Sequence, residues 1–118
     1  MSNIIVQKFG GTSLGTEERI ASVAKIVKEA SQSANVIVVV SAMSGETNRL
    51  IKLAKSFSDD PSKREFDALI STGEKVSAAL LAMALQYCCE CNRTCNLGIV
   101  FCCTLVESSI TSKRLQIK

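Results

Sequence analysis

Apolar and polar positions alternate along the chain in two different periods, and the switches between them outline its elements. Ile4-Ile5-Val6 opens a run, continuing to Phe9, that reads as a buried strand over residues 4–9. Val36 to Val40 is continuously apolar and β-branched. Such a run marks a strand covered on both faces, as in parallel sheets. Between the two runs the period changes to that of a helix, with Ile20, Val23, Ala24, Val27 and Ala30 on one face. Thr16 is placed to cap that helix, Glu17 and Glu18 fall in its first turn, and it is expected to end near Ser33. Strand, helix, strand in this order predicts a βαβ unit with a right-handed crossover.

Further on, Leu50, Ile51, Ala54 and Phe57 predict a second amphipathic helix, followed by a turn at Ser58-Asp59-Asp60-Pro61. Ser62 and Glu65 form a capping-box pair that opens a long helical stretch. Phe66, Leu69, Ile70, Val76, Leu80 and Met83 are assigned to its apolar face, and Gly73 interrupts it.

The connections carry the candidate chemistry. Lys8-Phe9-Gly10-Gly11-Thr12-Ser13 follows the first strand directly. Paired glycines let backbone approach a ligand, and successive N–H groups in such a turn can cradle an anion. Lys8 adds a full positive charge, Thr12 and Ser13 add hydroxyls, and the next helix would bring its positive end nearby. An ordinary strand-to-helix turn would use glycine for geometry alone, so spacing by itself leaves both readings open. Ser41 to Gly45 is a small-residue turn after the second strand. In open α/β sheets ligands bind beyond the carboxyl ends of the strands, so both turns should face one crevice.

Composition narrows the classes. At 118 residues with 47% apolar and 21% charged positions, the chain is at most one domain and is globular in composition. A net charge of +3, one Tyr, four Phe and no Trp argue against a nucleic-acid partner. No uninterrupted apolar run approaches the roughly 20 residues of a membrane span, which argues against a membrane partner. No histidine is present, which excludes histidine-based catalysis and the commonest nitrogen ligand for zinc.

The sequence Lys8-Phe9-Gly10-Gly11-Thr12-Ser13 after a short apolar strand resembles the opening signature of the aspartate kinases, members of the amino acid kinase family. Val40-Ser41-Ala42-Met43-Ser44-Gly45-Glu46-Thr47-Asn48 and Ile70-Ser71-Thr72-Gly73-Glu74-Lys75-Val76-Ser77-Ala78 match in the same order. The motifs cover residues 1 to about 87. The resemblance implies the N-terminal portion of a three-layer αβα sandwich. It also implies transfer of phosphate from ATP, accompanied by Mg²⁺, to the side-chain carboxylate of L-aspartate. That yields 4-phospho-L-aspartate, at the head of lysine, threonine, methionine and diaminopimelate biosynthesis. It assigns Lys8, Phe9, Gly10 and Gly11 to the ATP phosphates, with Lys8 as the catalytic cation, and Ser41, Thr47 and Glu74 to aspartate. Thr12, Ser13 and Gly73 are secondary candidates, Gly73 as a place where ligand approaches backbone. No metal-ligating residue is assigned. The expected setting is cytoplasmic, with ATP and aspartate as partners and a homo-oligomer allowed for the full-length enzyme. Two alternatives stand beside this: an inactive fragment or phosphate-binding remnant, or a kinase for another amino acid such as glutamate.

Residues 88–118 break the pattern. All six cysteines fall between Cys88 and Cys103. Their spacing does not match paired zinc knuckles, and a disulfide framework conflicts with the cysteine-free first part. Read one base later, the codons of Cys89-Glu90-Cys91 give Val/Ala, Asn/Ser, Val/Ala, and Leu97-Gly98 gives Trp where leucine is TTG. Aspartate kinases carry a similar loop and Gly-Trp nearby, so the segment is read as out-of-frame. Leu97 to Leu105 is apolar enough for a strand but is expected to lack a matched register.

Overall fold

Pairing of the two apolar runs builds the sheet. In the computed structural model, which describes residues 3–89 and 102–103, β1 (Ile4–Phe9) lies parallel to β2 (Asn35–Val40). The register runs from Ile4 beside Asn35 to Phe9 beside Val40. Asn35 N–H donates to the Asn3 carbonyl at 2.9 Å and Ser41 N–H to the Phe9 carbonyl at 3.1 Å, so the ladder closes at both ends. β3 (Cys102–Cys103) pairs parallel with Val39 and Val40, giving the order β1-β2-β3. The Cys-rich segment thus does place two residues in register with the sheet, contrary to expectation.

Helix α1 (Glu17–Ser31) connects β1 to β2. Its start is as expected: Thr16 is in an extended conformation and its hydroxyl accepts from Arg19 N–H at 3.3 Å. Ile20, Val23, Ala24 and Val27 form its buried face. Helix α2 (Glu46–Lys55) is shorter than its apolar pattern predicts, because Phe57 lies beyond its end and is 88% exposed. Helix α3 (Lys63–Cys89) runs without a break through Gly73. Ser62 and Glu65 do interact at its start, the hydroxyl donating to the carboxylate.

The face of α3 that packs inward differs from the predicted one. Ile70, Glu74, Ser77, Leu81 and Leu85 are buried, whereas Val76 and Met83 are exposed. Two polar residues sit in the middle of the buried stripe, so hydropathy alone shifts its phase. By length and composition α3 could cross a membrane, although its apolar residues form no uninterrupted run. Its packing against α1 and its buried Glu74 and Ser77 are those of a core helix.

The core is one-sided. Leu14, four residues of α1, Val36, Val38 and Val40 of β2, and Leu81 and Leu85 of α3 form a single cluster. The opposite face of the sheet is not buried: Ile4 is 65% and Val6 63% exposed. β1 is therefore an open strand and not the buried one that its composition predicts.

Candidate active site

Each site element hangs on the end of a strand or the middle of α3. Lys8 and Phe9 are the last residues of β1, and Gly10 to Ser13 turn the chain toward α1. Ser13 N–H donates to the Gly10 carbonyl at 3.0 Å and Leu14 N–H to the Gly11 carbonyl at 3.3 Å. Ser44 N–H reaches the same Gly11 carbonyl at 3.1 Å, and the Arg19 guanidinium donates to the Thr12 carbonyl. Three successive carbonyls are thus turned into the fold. In a trans peptide the N–H of the next residue points the opposite way from the carbonyl, so those of Gly11 and Thr12 turn away from these bonds, while Ser13 N–H is spent on the Gly10 carbonyl. Among the described residues, no loop hydrogen bond uses the N–H of Gly10, Gly11 or Thr12. Those donors are what an anion requires.

The two glycines have different reasons to be glycine. A Cβ on Gly11 would lie 2.6 Å from the Ala42 carbonyl oxygen, so the close approach of the two loops forbids a side chain there. Around Gly10 nothing lies within 4 Å of that position. Neither fold packing nor a positive φ explains Gly10. The open space above it is where a ligand can meet backbone.

The second loop is built around Ala42, which is buried. Its carbonyl faces Gly11, and its methyl group would be 3.0 Å from a Cβ on Gly73 of α3. Gly45 carries φ 83 at the N-cap of α2, a left-handed conformation that favours glycine. Ser41 follows β2 directly and Thr47 stands half-buried in the first turn of α2. Glu46 accepts both Nε and Nη2 of Arg49, at 2.9 and 2.8 Å, and those hydrogen bonds hold its carboxyl below the ordinary value.

Gly73 and Glu74 come from mid-α3. The space beside Gly73 is filled by Ala42, Glu46 and Leu50, so tight helix packing accounts for that glycine where ligand approach was expected. Glu74 is only 9% exposed, and its Oε2 has no hydrogen-bond partner among the described residues. An unsatisfied buried carboxylate oxygen costs on the order of 1–3 kcal/mol or more. Such a group calls for an explanation, commonly a missing ligand.

The structure therefore joins the Lys8–Ser13 loop, the Ser41–Gly45 loop and the centre of α3 around Ala42. Lys8 is exposed on the same sheet face as Ile4 and Val6, away from the helices. Sequence reading missed Ala42 as the hub, Ser44 as a loop donor and Arg19 as the partner of Thr12. The run of small residues at 41–45 signals close packing, while nothing in the sequence points to Arg19.

The profile of the amino acid kinase family matches residues 3–104. The chain belongs to the amino acid kinase family. That match reaches past the last motif into the Cys-rich segment. An aspartate kinase of Stutzerimonas stutzeri is 63% identical over 83 residues, covering 70% of this chain and 20% of that protein. An aspartokinase of Geobacillus stearothermophilus is 59% identical over 84 residues, with 70% and 21% covered. The crystal structure of aspartate kinase from Synechocystis superposes with a TM-score of 0.71 at 53% identity, over 73% of this chain and 15% of that one. The chain spans about a fifth of the length of the curated relatives it matches. Mixed helix and parallel strand in this arrangement is thus part of an amino acid kinase fold.

Proposed function

We propose that this chain carries the phosphate-gripping and amino-acid-gripping first part of an aspartate kinase. The reaction is transfer of the γ-phosphoryl group of ATP to the side-chain carboxylate of L-aspartate. Phosphoryl transfer asks a protein for positioning and for stabilisation of charge. The free N–H groups of Gly10, Gly11 and Thr12 fit a phosphate, with Lys8 neutralising charge on the transferred group. Thr12 and Ser13 hydroxyls flank that loop, and Ser41 and Thr47 flank the acceptor side.

The observation that carries the proposal is Glu74. A buried carboxylate with an unpaired oxygen suits the ammonium group of an amino acid, which a simple phosphate-binding turn would not need. Relatives named aspartate kinase at 59–63% identity favour aspartate over glutamate as the acceptor. Magnesium would travel with the nucleotide. This part would supply cations and N–H groups to the phosphates. The reading carries with it a soluble, cytoplasmic enzyme of amino-acid biosynthesis. For residues 88–118 we retain the out-of-frame reading, which translation of the underlying gene one base later tests directly.

The functional test is a substrate panel. Residues 3–87 replace the matched segment in a full-length relative, and phosphoryl transfer is measured to aspartate, glutamate and acetylglutamate. Turnover of aspartate well above the other two is the expected result. Preference for glutamate or acetylglutamate would overturn the assignment.

A further inference from the structure

Arg19 stands where helix chemistry disfavours a cation. It lies in the first turn of α1, whose N–H groups carry partial positive charge, directly after Glu17 and Glu18. Its side chain is exposed and, among the described residues, makes no ion pair with either carboxylate. It donates instead to the Thr12 carbonyl, back in the glycine loop. Thr16 already caps this helix end by accepting from the Arg19 N–H, so the guanidinium is not needed to start the helix. Its partner is the loop.

Two peptide units connect that cation to an unused donor. The Thr12–Ser13 unit accepts from Arg19 at its carbonyl and donates from Ser13 N–H to the Gly10 carbonyl at 3.0 Å. The Gly10–Gly11 unit accepts that bond, and its own N–H, on Gly11, takes part in no loop hydrogen bond. A peptide that accepts at its carbonyl becomes a stronger donor at its N–H, so hydrogen bonds in series reinforce one another. A bond from an ionised donor is the strong one, and here it stands at the head of the series. The adjoining Gly11–Thr12 unit is held differently. Its carbonyl accepts from Leu14 and Ser44 N–H at 3.3 and 3.1 Å, both neutral donors. Loss of the guanidinium therefore weakens the Gly11 N–H and leaves the Thr12 peptide braced.

We infer that Arg19 is a positioning residue for phosphate. Acting through the Thr12–Ser13 and Gly10–Gly11 peptides, it orients and strengthens the Gly11 N–H as an anion donor without touching the ligand. The inference rests on the reading of the Lys8–Ser13 loop as a phosphate grip, and not on aspartate as the acceptor.

The test uses a full-length relative carrying residues 3–87, with ATP and tripolyphosphate as probes and no amino acid present. Arg19→Met should weaken binding of both probes by the same factor, about threefold to tenfold. Deleting a direct oxyanion donor costs more, roughly a hundredfold or greater in turnover. Arg19→Lys keeps a charged donor and should recover most of the affinity. Lys25→Met removes an exposed charge from the same helix and should leave affinity unchanged. Isotope labelling of glycine nitrogen reads the route by NMR. In the ligand-free protein the Gly11 amide proton should move upfield in Arg19→Met and return in Arg19→Lys, while that of Gly45 stays in place. Unaltered affinity in Arg19→Met overturns the inference. So does a loss with an unmoved Gly11 signal, or one that Arg19→Lys does not repair. Gly10→Ala separates the two levels: if it weakens tripolyphosphate binding and Arg19→Met does not, only the role of Arg19 falls. If neither does, the glycine loop is not the phosphate site and the proposed function falls with it.

Discussion

Lys28 donates from Nζ to the backbone carbonyl of Cys88 at 2.7 Å, joining α1 to the end of α3 across sixty residues of sequence. A helix C-terminus carries unpaired carbonyls and partial negative charge, and a cation there satisfies both. Lys28→Met should loosen the last turns of α3 by about 1.5–3 kcal/mol, the range for a hydrogen bond from a charged donor. Native-state hydrogen exchange at residues 84–88, in a full-length kinase carrying residues 3–87 and Cys88, reads this locally. Lys28→Arg should restore most of the protection. Equal protection in all three proteins would show that the contact contributes nothing.

The two loop glycines should separate stability from binding. Gly11→Ala pushes a methyl group against the Ala42 carbonyl and should lower the thermal inactivation temperature by several degrees, for a cost of about 1–3 kcal/mol. Gly10→Ala meets open space, so stability should hold while the KM for ATP rises. A stability loss at Gly10 with no change in nucleotide affinity would remove the ligand from above that residue.

Lys8→Ala in the same enzyme should lower kcat far more than it raises the KM for aspartate. A charge aimed at the transferring phosphoryl group acts mainly in the transition state. An unaltered kcat with a higher KM for aspartate alone would move Lys8 to the acceptor side.

Glu74→Gln should raise the KM for aspartate and leave ATP binding largely intact. It should also leave the ligand-free protein as stable or more stable, because a buried carboxylate without a partner is costly. Loss of stability together with loss of nucleotide affinity would mark Glu74 as a structural residue instead.

Expressed alone, the chain should show no aspartate phosphorylation and should self-associate through its bare sheet face and edge. The measurement is a phosphoryl-transfer assay on size-fractionated protein, with circular dichroism alongside. A monodisperse, cooperatively melting sample that turns over aspartate contradicts this outcome.

Much of this was legible from residue order. The strand limits, the Thr16 cap, and the two loops at strand ends follow from apolar runs and turn chemistry that act locally. What failed was what depends on distant partners. β1 reads as buried because Ile4, Ile5 and Val6 are apolar, yet among the described residues nothing covers them. The inward face of α3 was misjudged because Glu74 and Ser77 occupy core positions. Gly73 read as a break or a ligand window, whereas Ala42, thirty-one residues from each of the two glycines it touches, is the cause. No local pattern reports a contact made across that separation.

Ala42 has one more consequence. Its carbonyl abuts the glycine loop at Gly11 and its methyl group abuts α3 at Gly73, so one small residue would be a shared wall of the two proposed ligand sites. A shift of either loop on binding must press on the other contact. If the proposed sites are right, the result would be thermodynamic linkage, with nucleotide and amino acid altering each other's affinity by the same factor, whichever arrives first. Enlarging the wall with Ala42→Val would change that factor before it removed either ligand.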